Sequence, residues 1–328
     1  VAARRDNQLL NKVTAKTNFS GNSDSVNFQQ MDFNLSGIVQ GVLGLKVENF
    51  AKPLYSGNIN LPTFSLNQVM VKSAMTPVDI PNKQFLDKVS LQTNFNATNN
   101  SVNLTNLISK ISATTLGGSV EVASIKPLSV IDNIHIDKID MADLIDTKGY
   151  RVPLTNFVAN GSFSNSNANF KTMSGVSAKQ NIMIDNITVL GFDLNNLITQ
   201  FDNAITGTDR VVTLQNMQPL KNSAQVIQSI QNMKEIAAKA TVKGAKDYSK
   251  KTNFGMLQSN IVMHDGIVNP SSFKLSGPTM KGDGKGSVNM VDKSLNYALA
   301  VQIVVPQKNQ ILNKIIFPYT VSGKFDNL

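Results

Sequence analysis

The chain has 328 residues, 41% of them apolar, a formal charge of +9 and no cysteine. Zero cysteines exclude a disulfide scaffold, a thiolate zinc site and a Cys nucleophile together, without fixing the compartment. The apolar set is aliphatic, with no Trp and only 6% aromatic residues, which suits ordinary packing and would equally suit acyl chains. The positive charges are mostly scattered, without the aromatic-interleaved basic strands of single-strand binders, so no nucleic acid is expected as a partner. No run approaches the ~18 uninterrupted apolar residues of a membrane helix. The chain opens on Val1 rather than Met and is read as a fragment of something longer, which leaves a signal peptide or an N-terminal anchor open.

A repeat runs through the N-terminal half. Thr17-Asn18-Phe19 followed by Ser25-Val26-Asn27-Phe28 lines up with Thr93-Asn94-Phe95 and Ser101-Val102-Asn103-Leu104, 76 residues later (17 to 93). A weaker echo starts at Thr155-Asn156-Phe157. Each unit closes with a strand and a short helical turn: Ser65 to Met70, Asp140 to Ile145, and Asp193 to Ile198. Ser65, Asp140 and Asp193 are the residue types that cap such turns, because a side-chain oxygen can accept from a free backbone N–H. Gly117-Gly118, Asn160-Gly161 and Asp265-Gly266 are read as turn dipeptides between strands. Alternation of apolar with Asn, Ser, Thr or Lys residues predicts antiparallel strands with one apolar and one wet face.

One segment breaks the pattern. From Pro219, apolar residues at Val226, Ile230, Met233, Ala237 and Ala240 recur at spacings of three and four, predicting an amphipathic helix near 220–245. Lysines load its C-terminal end, where cations favour the helix dipole. Further on, Leu295, Tyr297, Leu299, Val301, Ile303 and Val305 occupy every odd position of a long strand, which places a continuous apolar ribbon on one side.

Catalytic chemistry is not expected, nor a metal or a cofactor. His135 and His264 are the only histidines, and neither has a second ligand or a carboxylate at a metal or triad spacing. His135 is read on a polar strand face and His264 before a turn. Gly282-Asp283-Gly284-Lys285-Gly286-Ser287 lacks the Gly-Lys-Ser/Thr step of a phosphate loop and is read as a flexible hairpin or a close-approach strand.

The C-terminal stretch resembles a known family. Thr252-Asn253-Phe254-x-x-Leu257, Ile261-x-x-His264-Asp265-Gly266, Phe273-x-Leu275-Ser276-Gly277-Pro278, Gly282-x-Gly284-x-Gly286-x-Val288, Leu295-x-Tyr297-x-Leu299 and Val321-x-Gly323-x-Phe325-Asp326-Asn327 are similar to the C-terminal region of the AsmA family, relatives of TamB-like and bridge-like lipid-transfer proteins. Asn289 and Asn296 stand where that pattern carries Asp, and Leu328 where it carries Pro. The resemblance implies a periplasmic envelope protein anchored to the inner membrane by an N-terminal helix. It implies long twisted β-sheets folded into an open, taco-like groove, and a part in phospholipid movement and outer-membrane homeostasis with room for envelope protein partners.

The expected fold is therefore mainly β: long twisted antiparallel sheet of hairpin repeats, an open groove, short helical turns and the one amphipathic helix. Two regions are read, 1–150 and 151–328, with a helical insertion at about 219–250, or else one continuous elongated domain. Exposing two acyl chains to water costs ~0.8 kcal/mol per CH₂, so ~30 CH₂ groups make roughly 25 kcal/mol. An aliphatic groove removes most of that without catalytic residues. The expected lining is the odd face of Leu295 to Val305 together with Ile134, Ile136, Ile182 and Ile184, and the expected cargo a phospholipid or other acyl lipid. The alternative is a structural or adhesive β-repeat protein with a closed protein core.

Overall fold

A computed structural model describes residues 8–166, 175–194, 196, 247–278, 280–304 and 316–324. Among these residues, fifteen strands form one antiparallel sheet in strict sequence order. They are β1 Val13–Gly21, β2 Ser25–Leu35, β3 Val39–Glu48, β4 Leu54–Phe64, β5 Val89–Ala97, β6 Val102–Ile111, β7 Thr114–Ile125 and β8 Leu128–Asp140. The second half holds β9 Pro153–Asn165, β10 Val176–Leu190, β11 Lys251–His264, β12 Ile267–Ser276, β13 Met280–Asn289, β14 Ser294–Ile303 and β15 Ile316–Lys324. β8 pairs with β9, so pairing runs unbroken past residue 150. The helix predicted near 220–245 lies outside the described residues, as does Val305.

In such a meander every even strand ends, and every odd strand begins, at the same rim. That rim carries the helical pieces: α1 (Leu66–Lys72) and single 3-10 turns at Gln8–Leu10, Phe85–Asp87 and Met141–Asp143. The three predicted caps are in place. Ser65 Oγ accepts from Gln68 N–H at 3.2 Å, Asp140 Oδ1 from Ala142 N–H at 3.0 Å, and Asp193 Oδ1 from Asn196 N–H at 2.9 Å. The opposite rim carries short turns such as Asp265-Gly266, the one of the three predicted turn dipeptides that is a turn.

The other two are corrections. Gly117-Gly118 lies inside β7 and Asn160-Gly161 inside β9. A Cβ on Gly118, at φ +137, would stand 2.0 Å from the Asn133 carbonyl oxygen, and one on Gly161 would stand 1.9 Å from that of Lys179. These glycines let neighbouring backbones approach within a strand, a use of Gly that local sequence cannot distinguish from a turn. Of the two readings of Gly282–Ser287, the close-approach strand is the one the structure has: the stretch lies within β13, and a Cβ on Gly286 would stand 2.3 Å from the Asn296 carbonyl oxygen.

The Thr-Asn-Phe repeat has a structural meaning. It recurs on β1, β5, β9 and β11, and on β1, β5 and β11 it falls near a break in register. The pairing shifts at Asn18/Phe19 and at Gln92/Asn94, and again opposite Gly255; Asn156 itself has φ 50. A bulge adds a residue on one strand, bends it and increases local twist. On β1, β5 and β11 the repeat therefore marks sites of coiling, and its first step of 76 residues (17 to 93) spans four strands.

The helical rim is tied together by polar contacts. Asn82 Nδ2 donates to Asp143 Oδ1 at 3.0 Å, linking the β4–β5 and β8–β9 connections. Asp140 Oδ2 accepts from Arg151 Nε at 2.5 Å, and Oδ1 also accepts from Val152 N–H at 3.0 Å. Burial pushes the Asp140 carboxyl up, but the N–H groups of Ala142 and Val152 together with the Arg151 guanidinium outweigh it and hold it below its ordinary 3.8. A depressed folded value means this stabilisation is fully present at neutral pH, starts to fall as pH drops to the unfolded value, and is lost as pH passes through the folded one. Asp140→Asn is expected to cost about 1 kcal/mol at pH 7. The difference in thermal midpoint from the parent should shrink as pH falls below the ordinary carboxylate value of 3.8.

Candidate functional site

Directly paired residues of antiparallel strands lie on the same face, so the register traces one face across the whole sheet. From Leu299 it passes to Gly284, Phe273 and Ser259, then to Ile182, Ala159, Ile134 and Gly118. In the first half it continues through Leu104, Phe95, Gly57, Leu45, Phe28 and Phe19. Every strand from β1 to β14 places aliphatic or aromatic residues on this face, and the register positions of Phe317, Tyr319 and Val321 extend it to β15.

Nine of the ten residues expected to line the groove are described, and all nine share this face. Leu295, Tyr297, Leu299, Val301 and Ile303 sit there on β14, Ile182 and Ile184 on β10, and Ile134 and Ile136 on β8. Between them lie β9 and β11 to β13, so the nine form separated stretches of one surface and not a single pocket.

The face is only half shielded. Leu295, Tyr297, Leu299, Val301, Ile303, Ile134, Ile136 and Ile182 are half-buried, whereas Ile184 is 5% exposed. Each strand hydrogen-bonds only to its sequence neighbours, and among the described residues there is no second sheet to cover this surface. Beside the helical rim, Met70 of α1, Ile80, Phe85 and Val89 of β5 are buried. A cleft of about 360 Å³ also lies on that rim, lined by Ser36, Ile38, Asn67, Gln68, Val71 and Lys72.

Two features shape the surface locally. The rings of Phe273 and Tyr297 stack at 5.5 Å with 17° between planes, and a Cβ on Gly284 would strike both. Glycine at that position makes room for the pair. Thr93 is 2% exposed, its hydroxyl donating to the Thr105 carbonyl oxygen at 3.0 Å, which satisfies a polar group on an apolar face.

The outer face is chemically distinct. Asn133, Asn160, Asn181 and Asn260 stand in register across β8 to β11, with Asn181 Nδ2 donating to Asn160 Oδ1 at 3.2 Å. His135 lies on this wet face, 2.8 Å from Asp137, and His264 ends β11 before the Asp265-Gly266 turn. Among the described residues no group of three or more His, Cys, Asp or Glu side chains could hold a metal ion, and no helix is long and apolar enough to cross a membrane.

No family model, no curated protein and no solved structure matches the chain.

Reading the sequence by spacing missed one polar position. Asp132 shares the inner face with Ile134 and Ile136, opposite Val120 and Gly161. Its parity with those two isoleucines is the signal that identifies it. Gln180 stands on the far side of Gly161, and its Nε2 donates to Asp132 Oδ1 at 2.7 Å.

Proposed function

We propose that the apolar face holds the acyl chains of membrane lipids, and that the protein is a passive, non-enzymatic conduit for phospholipids between the two membranes of a bacterial envelope. On this reading the sheet is the wall of an open, taco-like groove and the chain an AsmA-like periplasmic protein. An inner-membrane anchor and envelope partners belong to the same proposal.

The observation that carries it is the continuity of the face. At ~4.8 Å per strand, fifteen strands span roughly 70 Å, about twice the ~30 Å of a bilayer's hydrocarbon. A single apolar surface of that extent, uncovered by a second sheet among the described residues, is far larger than the patches monomeric soluble proteins leave open. A surface this largely apolar lets chains slide along it, because each step exchanges one apolar contact for another. Energy input would then come from partners.

The competing reading is a structural or adhesive repeat protein whose apolar face is closed by protein; the burial of Met70 and Phe85 at the helical rim is the observation that favours it. Native mass spectrometry of the purified protein with lipid extraction separates the two. Co-purified two-chain lipid supports the conduit. A lipid-free protein that also takes up none from phospholipid vesicles contradicts it.

A further inference from the structure

We propose that Asp132 is a headgroup site for lipids carrying a positively charged amine, so that the groove favours amine-bearing phospholipids over purely anionic ones. This rests on the reading of the inner face as an acyl-chain surface and names the class of lipid it selects.

Between Leu128 and Ile136, the inner-facing positions of β8 are Leu128, Val130, Asp132, Ile134 and Ile136. Asp132 is the one charged residue among them. Its neighbours across the sheet on this face are Val120 and Gly161. Among the described residues no Lys, Arg or His forms an ion pair with it. Among the described residues, its carboxylate has one hydrogen bond, the 2.7 Å contact from Gln180 Nε2 to Oδ1, and none of them donates to Oδ2.

Gln180 reaches Asp132 across Gly161, which has no side chain to intervene. The amide's own Oε1 is enclosed without a hydrogen-bond partner. Gln180 thus orients the carboxylate while its own acceptor goes unmet, the mark of a positioning residue. A carboxylate on an apolar face is tolerable while water reaches it. Once acyl chains cover the neighbouring Val130 and Ile134, that water is displaced, and an unpaired charge there is strongly disfavoured. A ligand that brings an ammonium group with its chains removes the conflict. One that brings only negative charge worsens it.

The location suits this. Asp132 lies four residues from the start of β8, on the order of 14 Å from the short-turn rim at ~3.4 Å per residue. A headgroup there stays near the rim while its chains extend over Ile134 and Ile136.

The test loads the full chain from vesicles of equal phosphatidylethanolamine and phosphatidylglycerol, then quantifies bound lipid by extraction and mass spectrometry. The parent protein is expected to enrich the amine lipid over the input ratio. Asp132→Asn and Asp132→Ser should each reduce that enrichment roughly two- to fivefold, the factor a partly exposed ion pair yields, with total bound lipid unchanged. Asp283→Asn, on the outer face opposite Lys274, should change nothing. An unchanged headgroup ratio in both Asp132 variants, with lipid still bound, overturns the headgroup site and leaves the groove standing. No lipid on the parent protein overturns both.

Discussion

Leu299→Asp is expected to strip bound lipid from the protein by about tenfold or more, while Ala298→Asp, one residue away, leaves it untouched. Both substitutions put the same charge on β14. Leu299 is half-buried on the inner face, opposite Gly284, whereas Ala298 is exposed on the outer face opposite Lys285. A carboxylate under an acyl chain loses its water, at a cost of several kcal/mol, and each ~1.4 kcal/mol is tenfold in occupancy. At Ala298 the new charge stays hydrated and faces a lysine, for a gain or loss within about 0.5 kcal/mol. Folding stability of the inner variant should fall by only about 1–2 kcal/mol, because the leucine is half exposed to begin with. Lipid quantified per mole of folded protein, with circular dichroism to confirm the sheet, reads both effects. Equal lipid loss in the two variants would mean that the faces do not differ in function.

Gly118→Ala is expected to destabilise the sheet by about 2–4 kcal/mol, while Gly117→Ala is neutral or stabilises by up to about 1 kcal/mol. The two glycines are adjacent on β7 but meet different surroundings. At Gly118 the new methyl would stand 2.0 Å from the Asn133 carbonyl oxygen, and the backbone has φ +137, where L residues are strained. Backbone atoms at that distance cannot yield without moving β8. At Gly117 the nearest atom is the Leu107 carbonyl oxygen at 3.5 Å, an ordinary contact. Denaturant midpoints for the pair check this, and comparable losses at both sites would contradict the assignment of Gly118 as a close-approach point.

Period-two alternation was legible wherever a strand was regular. Odd positions of β14 and even positions of β8 and β10 were readable as apolar ribbons, and the register joins them on one face. Caps were legible too, since Ser65, Asp140 and Asp193 each offer an oxygen at the start of a helical turn. Gly117-Gly118 and Asn160-Gly161 misled because a glycine that permits close strand approach looks locally like a glycine that permits a turn. Only the neighbouring strand, far away in sequence, tells them apart. Asp132 was overlooked for the opposite reason: a lone carboxylate among isoleucines resembles a surface residue until the face of its strand is known. The Thr-Asn-Phe repeat was visible as a pattern, but its association with bulges depends on pairing between strands. The ribbon of β14 could be placed on a face from spacing alone; that the face continues through β1 could not, because bulges reset the parity several times along the way.

The central claim, that one face of the sheet holds lipid, is tested most directly by photo-crosslinking along β14. A photoreactive amino acid is placed singly at Tyr297, Ala298, Leu299, Ala300 and Val301, and the protein is irradiated with bound or added phospholipid. Lipid adducts at 297, 299 and 301, with none at 298 and 300, is the predicted result. Adducts without that two-residue period, or crosslinks only to the protein itself at the odd positions, would contradict it.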